Sequence, residues 1–290
     1  MIHPWPRRSP WFRPSGGRPR PIRELLLVAV LFGAYKLGRV LADGRVAEAF
    51  DNAHGIWDLE RSLRLPSELD VQQALLHNDV LVHAANSYYA YAHFPATAAF
   101  LLWIYLRRPA YYRWIRWVLV TLTAAGLVLH LFLPLAPPRM LTGTGLIDTG
   151  AIFGPAVYGA PQTDTLANQY AAMPSLHIGW AIILATGLIV STRDRWRWWW
   201  IAHPVITVAV VVATANHYWL DGIVVGALLA VVLLVIRPPV TVRLPVTVPT
   251  APAGPRPVSV STGRGSRAAP VASPEPDRPL AAPRPPAPLG

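Results

Sequence analysis

The sequence predicts an all-α integral membrane protein of six transmembrane helices, with a further helical segment at the extracytoplasmic membrane interface. Three observations predict it. Of the 290 residues 53% are hydrophobic and only 14% charged, a balance typical of membrane chains. Six apolar stretches each approach the ~20 residues needed to cross a bilayer. Arginine-rich links alternate with an acidic segment in the way that orients a chain in a membrane.

The elements follow in order. Residues 1–21 are rich in Pro, Arg and Trp and read as a disordered basic tail. The first span, about 22–42, is too long for a cleavable signal and lacks a small-residue cleavage site. Segment 43–79 holds eight acids and three arginines. Within it Val46, Phe50, Ala53 and Trp57 recur at helical spacing and predict a helix lying on the membrane surface. Ser67 and Asp70 predict a capping box at the start of another helix. Glu60 and the other acids here read as a solvated face.

The second and third spans fall at about 80–106 and 112–135. The second is unusually polar, carrying Asn86, Tyr88, Tyr89, Tyr91 and His93. Its tyrosines read as interfacial or core residues, and His93 as a polar group satisfied between helices. Spans four to six fall at about 174–191, 198–215 and 217–236. His203-Pro204 predicts a kink in the fifth. Trp196, Trp198, Trp199 and Trp200 read as an aromatic belt at the cytoplasmic surface. Residues 237–290 hold 15 of the 31 prolines and seven arginines and read as a second disordered tail.

Charge then sets the orientation. The net charge of +11 comes from 25 arginines and one lysine, Lys36, a usage that reads as a GC-rich genome. The arginines crowd the tails and two links, which argues against a nucleic-acid binder. One link holds Arg107, Arg108, Arg113 and Arg116, the other Arg193, Arg195 and Arg197. With six spans, both links and both termini fall on the cytoplasmic side of a bacterial plasma membrane. Segment 43–79, the loop 136–173 and the turn at 216 fall outside. Cysteine is absent, so disulfides and thiolate metal sites are excluded; neither metal nor cofactor is expected.

Three polar breaks thereby reach one membrane face: Pro134 to Arg139, Ala172 to His177, and Asn216 to Asp221. His217 and Asp221, four apart, are expected on one face of the sixth helix, an acid where acids are expensive and usually functional. Pro174 reads as the first residue of span four, which leaves Ser175 and the following amides at a helix start suited to an anion. The Arg139 fork suits a phosphate. Together they point to phosphate chemistry with His217 as nucleophile, Asp221 orienting it and His177 as acid and base. Arg139 and Ser175 would bind the phosphate; Asn216, Tyr218 and His130 are candidates to support them from behind. A structural His217–Asp221 pair is the plainer alternative. A serine protease would need the Gly-x-Ser-x-Gly elbow that is missing, and haem would need facing histidine pairs.

Pro174-Ser175-Leu176-His177 and His217-Tyr218-Trp219-Leu220-Asp221 resemble the second and third signatures of the phosphatidic acid phosphatase type 2 superfamily, and Pro137-Pro138-Arg139 stands where its first should end. The wording is most similar to the inositol phosphorylceramide synthase-like, or inositolphosphotransferase, branch. The resemblance covers roughly residues 55–236. It implies a six-helix membrane core, a phosphohistidine at His217 and a lipid phosphate or phosphodiester substrate. Phe132, Val211 and Leu176 stand where the superfamily has a lysine, an arginine and a glycine. Losing two cations fits a less charged substrate. The expected activity is a lipid phosphotransferase or phosphatase, inositol phosphate transfer being one form. The alternatives are a polyprenyl or phosphatidic acid phosphatase and a non-enzymatic lipid headgroup-binding transporter or scaffold.

Overall fold

The computed structural model describes residues 19–42, 44–157 and 168–239. Apart from their innermost residues, the two tails expected to be disordered lie outside the described residues. What is described is helical, with no strand and a single isolated bridge between Leu135 and Ala171.

Helix α1 (Pro21–Ala42) opens on proline, where a missing N–H costs nothing. Its Glu24 accepts from Tyr112 and Arg116 and so ties α1 to α6 (Pro109–Phe132). The acidic segment forms α2 (Val46–Ser62) and α3 (Glu68–Leu76). Ser67 caps α3 by accepting from the Asp70 amide, as expected from the sequence. The small residues of α2 turn inward, while Val46 stays exposed and Phe50 and Trp57 half-buried. Ala49 and Ala53 are fully buried among Leu135, Ala136, Met173 and Tyr218. The Ala49 carbonyl accepts from the Ala136 amide, and Asn52 donates to the Pro134 carbonyl. Helix α2 is therefore a cover docked on the first and second polar breaks, because that is where its small residues find apolar partners.

The second stretch is α4 (Asp79–Ser87), one π-helical turn (Tyr88–Ala92) and α5 (His93–Arg107). The fourth is α8 (Leu176–Ser191) and the sixth α10 (Trp219–Val235). The fifth is a 3-10 run, Arg195–Ile201, continued by α9 (Ala202–Ala213). The change of winding comes just before Pro204, so the proline sits in the first turn of α9 and does not kink a helix interior. The four tryptophans of the 3-10 run are exposed, as a belt requires.

Each of the six predicted stretches is helical. Among the described residues, however, only Pro109–Phe132 and Arg195–Ala213 are long and apolar enough to cross a membrane. Helix α1 is 22 residues long, and beyond its first turn its charged residues are Lys36 and Arg39. Helices α8 and α10 fall short because their polar leading residues belong to loops and caps.

The core lies where α5, α6, α8 and α10 meet, around Trp114, Ile115, Leu122, Ile183, Val225 and Leu229. Gly179 allows a close approach: a Cβ there would stand 2.7 Å from Val225 and 2.8 Å from Leu122. Small residues at such crossings let apolar helices interlock without a hydrophobic driving force.

Candidate active site

The three polar breaks meet through their backbones. The Leu135 amide donates to Tyr170 (2.8 Å), and the Ala172 amide donates back to Leu135 (3.2 Å). The Arg139 amide donates to Ala215 (2.9 Å) and the Ser175 amide to Asp221 (3.3 Å). Ala215 takes a left-handed conformation (φ 51°) that few residues with a side chain adopt. Strained backbone of this kind collects at sites that over-determine it, and here it turns the chain out of α9 into Asn216-His217.

His217 is placed by capping and not by a shared helix face. Helix α10 begins at Trp219 with Tyr218 as its N-cap, so His217 precedes the helix. Asp221, at the third helical position, reaches back to accept from the Tyr218 amide at 2.9 Å. The same oxygen lies 3.0 Å from His217 Nδ1. Nδ1 is also 3.0 Å from the Ala172 carbonyl. A carbonyl can only accept, so Nδ1 bears the hydrogen and Nε2 keeps its lone pair. Both residues are buried, Asp221 completely.

Helix α8 also starts later than the sequence suggests. Pro174 lies outside it, and the fully buried Ser175 is the N-cap, its Oγ accepting from the Ile178 amide. That employment leaves Ser175 a capping residue in the first instance. His177 remains in the first turn, partly exposed, with its ring centroid 5.8 Å from that of His217. His130 donates from Nε2 to the Pro174 carbonyl at 3.2 Å, behind the start of α8. Tyr218 is buried, its hydroxyl donating to the Ala136 carbonyl.

Arg139 joins the third break to the first. Its Nη1 donates to Asn216 Oδ1 at 2.6 Å and its Nε to Asp148 Oδ2 at 3.1 Å. Asp148 went unnoticed in the sequence. It caps α7 (Thr149–Phe153) through the Ala151 amide, and the loop that carries it is clamped by two buried amides. Gln72 exchanges hydrogen bonds with the Ile147 backbone in both directions. Asn86 donates to Thr149 and Gly154 and accepts from the Thr149 hydroxyl. A small open pocket between Asn86, Tyr89, Asp148, Gly150 and Asn216 lies beside this arginine.

Three other residues escaped the sequence. Tyr89 and His93, four apart, both lie against His177, each ring centroid 4.8 Å away. His93 is not the satisfied group expected between helices: its buried Nδ1 has no partner among the described residues. Nor is Glu60 on a solvated face. It and Glu68 are fully buried, and Glu60 accepts from the Leu220 amide in the first turn of α10. Phe132, in place of a family cation, points outward at 77% exposure; Val211, in place of the other, is buried in α9. Among the described residues no cluster of three His, Asp or Glu is arranged to hold a metal.

A family model described as the PAP2 superfamily matches residues 54–236. The match begins within α2 and ends at the close of α10, so it takes in every site residue named above. It is to the superfamily as a whole and distinguishes no branch within it. No curated protein and no solved structure matches the chain.

Proposed function

Because the chain belongs to the PAP2 superfamily, we propose that it is an integral membrane phosphotransferase or phosphatase that works on lipid phosphates or phosphodiesters through His217. One observation carries the residue assignment: Nδ1 of His217 faces two acceptors, so the lone pair at Nε2 is free for phosphorus. The six apolar stretches support a six-span arrangement with both termini cytoplasmic and the site extracytoplasmic.

In the mechanism, Nε2 attacks phosphorus in line. An N–P bond forms, the P–O bond to the leaving group breaks, and His177 gives that oxygen its proton. Asp221 holds the imidazole and balances the positive charge it acquires. Arg139 and the first amides of α8 stabilise the equatorial oxygens. The acceptor then loses its proton to His177, attacks the phosphohistidine, and releases His217.

Charge favours a phosphodiester over a monoester. The Arg139 guanidinium is shared with Asp148 and Asn216, and Phe132 and Val211 replace two cations of the family pattern. That suits one negative charge better than two, and so favours transfer to an alcohol, inositol phosphate transfer among its forms. Hydrolysis of a polyprenyl or phosphatidic acid phosphate is the competing reading.

Mass spectrometry of products decides. Purified protein in micelles would be given phosphatidic acid, phosphatidylinositol and a polyprenyl diphosphate, with free inositol and diacylglycerol. A new phosphodiester lipid that disappears with His217→Ala establishes transfer; free phosphate alone establishes hydrolysis. Turnover that survives His217→Ala overturns the phosphohistidine. A headgroup-binding scaffold would bind these lipids equally in both proteins and convert none.

A further inference from the structure

Helix α10 carries Asp221, and its first turn is gripped from outside the membrane core. Leu220, one residue before Asp221, has a first-turn amide with no partner inside the helix. That amide donates to Glu60 Oε1 at 2.7 Å, across 160 residues of sequence. On the other side of the turn, the Asp221 carboxylate accepts from the Tyr218 amide and holds His217. The Asp221 carbonyl accepts from Ser175 at the start of α8. Glu60 is thus the outer member of a clamp whose inner member is the His217–Asp221 pair.

We propose that Glu60 is a positioning residue of the transfer site, a neutral carboxyl that fixes the first turn of α10 and through it the orientation of His217. This rests on the reading of His217 given above. Neutrality follows from what surrounds it. Glu60 and Glu68 are both fully buried, and Arg61 is the cation placed between them, 3.8 Å from Glu60 and in contact with Glu68. Arg61 is held there by stacking on Trp57, 4.1 Å from its ring centroid. The Asp221 carboxylate and the Tyr218 ring complete the surroundings. One guanidinium does not balance three buried carboxylates at close range. Burial first, then the facing Glu68, push Glu60 up to about 9. A protonated Glu60 keeps Oε1 as acceptor for Leu220 and can turn Oε2–H towards Glu68. It grips the helix without setting a second negative charge beneath Asp221, which would compete for the positive charge His217 acquires.

The test compares Glu60→Gln, Glu60→Asp and Glu60→Ala, with His217→Ala as control. Glutamine has the shape and hydrogen-bonding capacity of a neutral glutamic acid, so it is expected to keep kcat within about twofold of wild type. Aspartate withdraws the acceptor by a methylene and alanine removes it. Each is expected to lower kcat about tenfold or more on phosphatidylinositol with diacylglycerol in mixed micelles, with KM changed less than about twofold. The signature that a general structural role would not give is the His217 Nδ1–H resonance in histidine-labelled protein. It should move in Glu60→Ala and Glu60→Asp and stay in place in Glu60→Gln. An unchanged resonance and kcat in Glu60→Ala overturn the proposal, as does a Glu60→Gln variant as impaired as Glu60→Ala. If Glu60→Ala does not fold, Glu60→Asp decides. Turnover that persists in His217→Ala overturns the parent reading instead, and the resonance still reports on Glu60.

Discussion

Arg139 and Asn216 are joined by a 2.6 Å hydrogen bond from guanidinium to amide oxygen, which locks the first polar break to the third. Asn216 is therefore more than a neighbour of His217: it orients the arginine fork that, in the proposed mechanism, meets the phosphate. Asn216→Ala frees the fork and is expected to raise KM. Asn216→Asp is expected to be worse, since a second carboxylate beside Asp148 would neutralise the guanidinium for a substrate anion. The predicted order of kcat/KM is wild type, then Asn216→Ala, then Asn216→Asp, with about tenfold or more lost at the last step. Wild-type kinetics in Asn216→Asp would remove Arg139 from phosphate binding.

Asp221 fixes the tautomer of His217 and caps α10 with one oxygen. Asp221→Asn keeps the size of the side chain but loses its charge. Turnover is expected to fall by a factor on the order of 10² to 10⁴. Rapid quenching that traps an acid-labile phosphoryl adduct in wild type should find its formation slowed in the variant. An unchanged rate of adduct formation would show that the pair is structural.

The polar breaks were legible because each is a local interruption of an apolar run, and charge alternation brought them to one side. What failed was non-local or depended on exact winding. The face shared by His217 and Asp221 assumed that α10 starts two residues early. Tyr89 and His93, four apart, share a side, but nothing local says that the ring they meet is that of His177, which comes from a different helix. Glu60 looked like one acid among eight because nothing in segment 43–79 says that its partner is an amide at Leu220. Asp148 lies in a loop without periodicity, delivered by Gln72 and Asn86 from two different helices.

Glu60 should also make stability depend on pH. Its folded value is raised to about 9, above the ordinary 4.5, so the folded state binds the proton more tightly. This contribution is complete below about 4.5 and is lost as pH rises through about 9. The groups that face it are Glu68, Arg61, Asp221 and Tyr218. The melting temperature of wild type in detergent is expected to decline between those limits. Glu60→Gln cannot titrate and should decline less. Parallel melting curves for the two proteins would place the lost stability on other groups.

Helix packing makes a prediction independent of chemistry. At Gly187 a Cβ would stand 2.5 Å from Phe100 Cζ and 3.0 Å from Ile115. The phenyl ring cannot yield by rotating a flexible end, so Gly187→Ala forces α8 away from α5. Overpacking of this kind costs about 1–3 kcal/mol. Thermal unfolding in detergent should report it as a lower midpoint. An unchanged midpoint would mean that α5 and α8 part more easily than their contact suggests.

His93 separates packing from chemistry next to His177. Its ring lies against His177 and, at 6.0 Å, against Trp180, while its Nδ1 is buried without a partner among the described residues. An unpaired buried nitrogen costs about 1–3 kcal/mol. His93→Phe keeps a ring in place and removes that cost, so the melting temperature is expected to hold or rise. If the ring acts only by packing, kcat should stay within about threefold of wild type, while His93→Ala, which opens a hole beside His177, lowers both stability and turnover. A stable His93→Phe protein with turnover lost would mean the opposite. The imidazole nitrogen would then be exchanging a proton with His177, and the unpaired Nδ1 would be the resting state of that exchange.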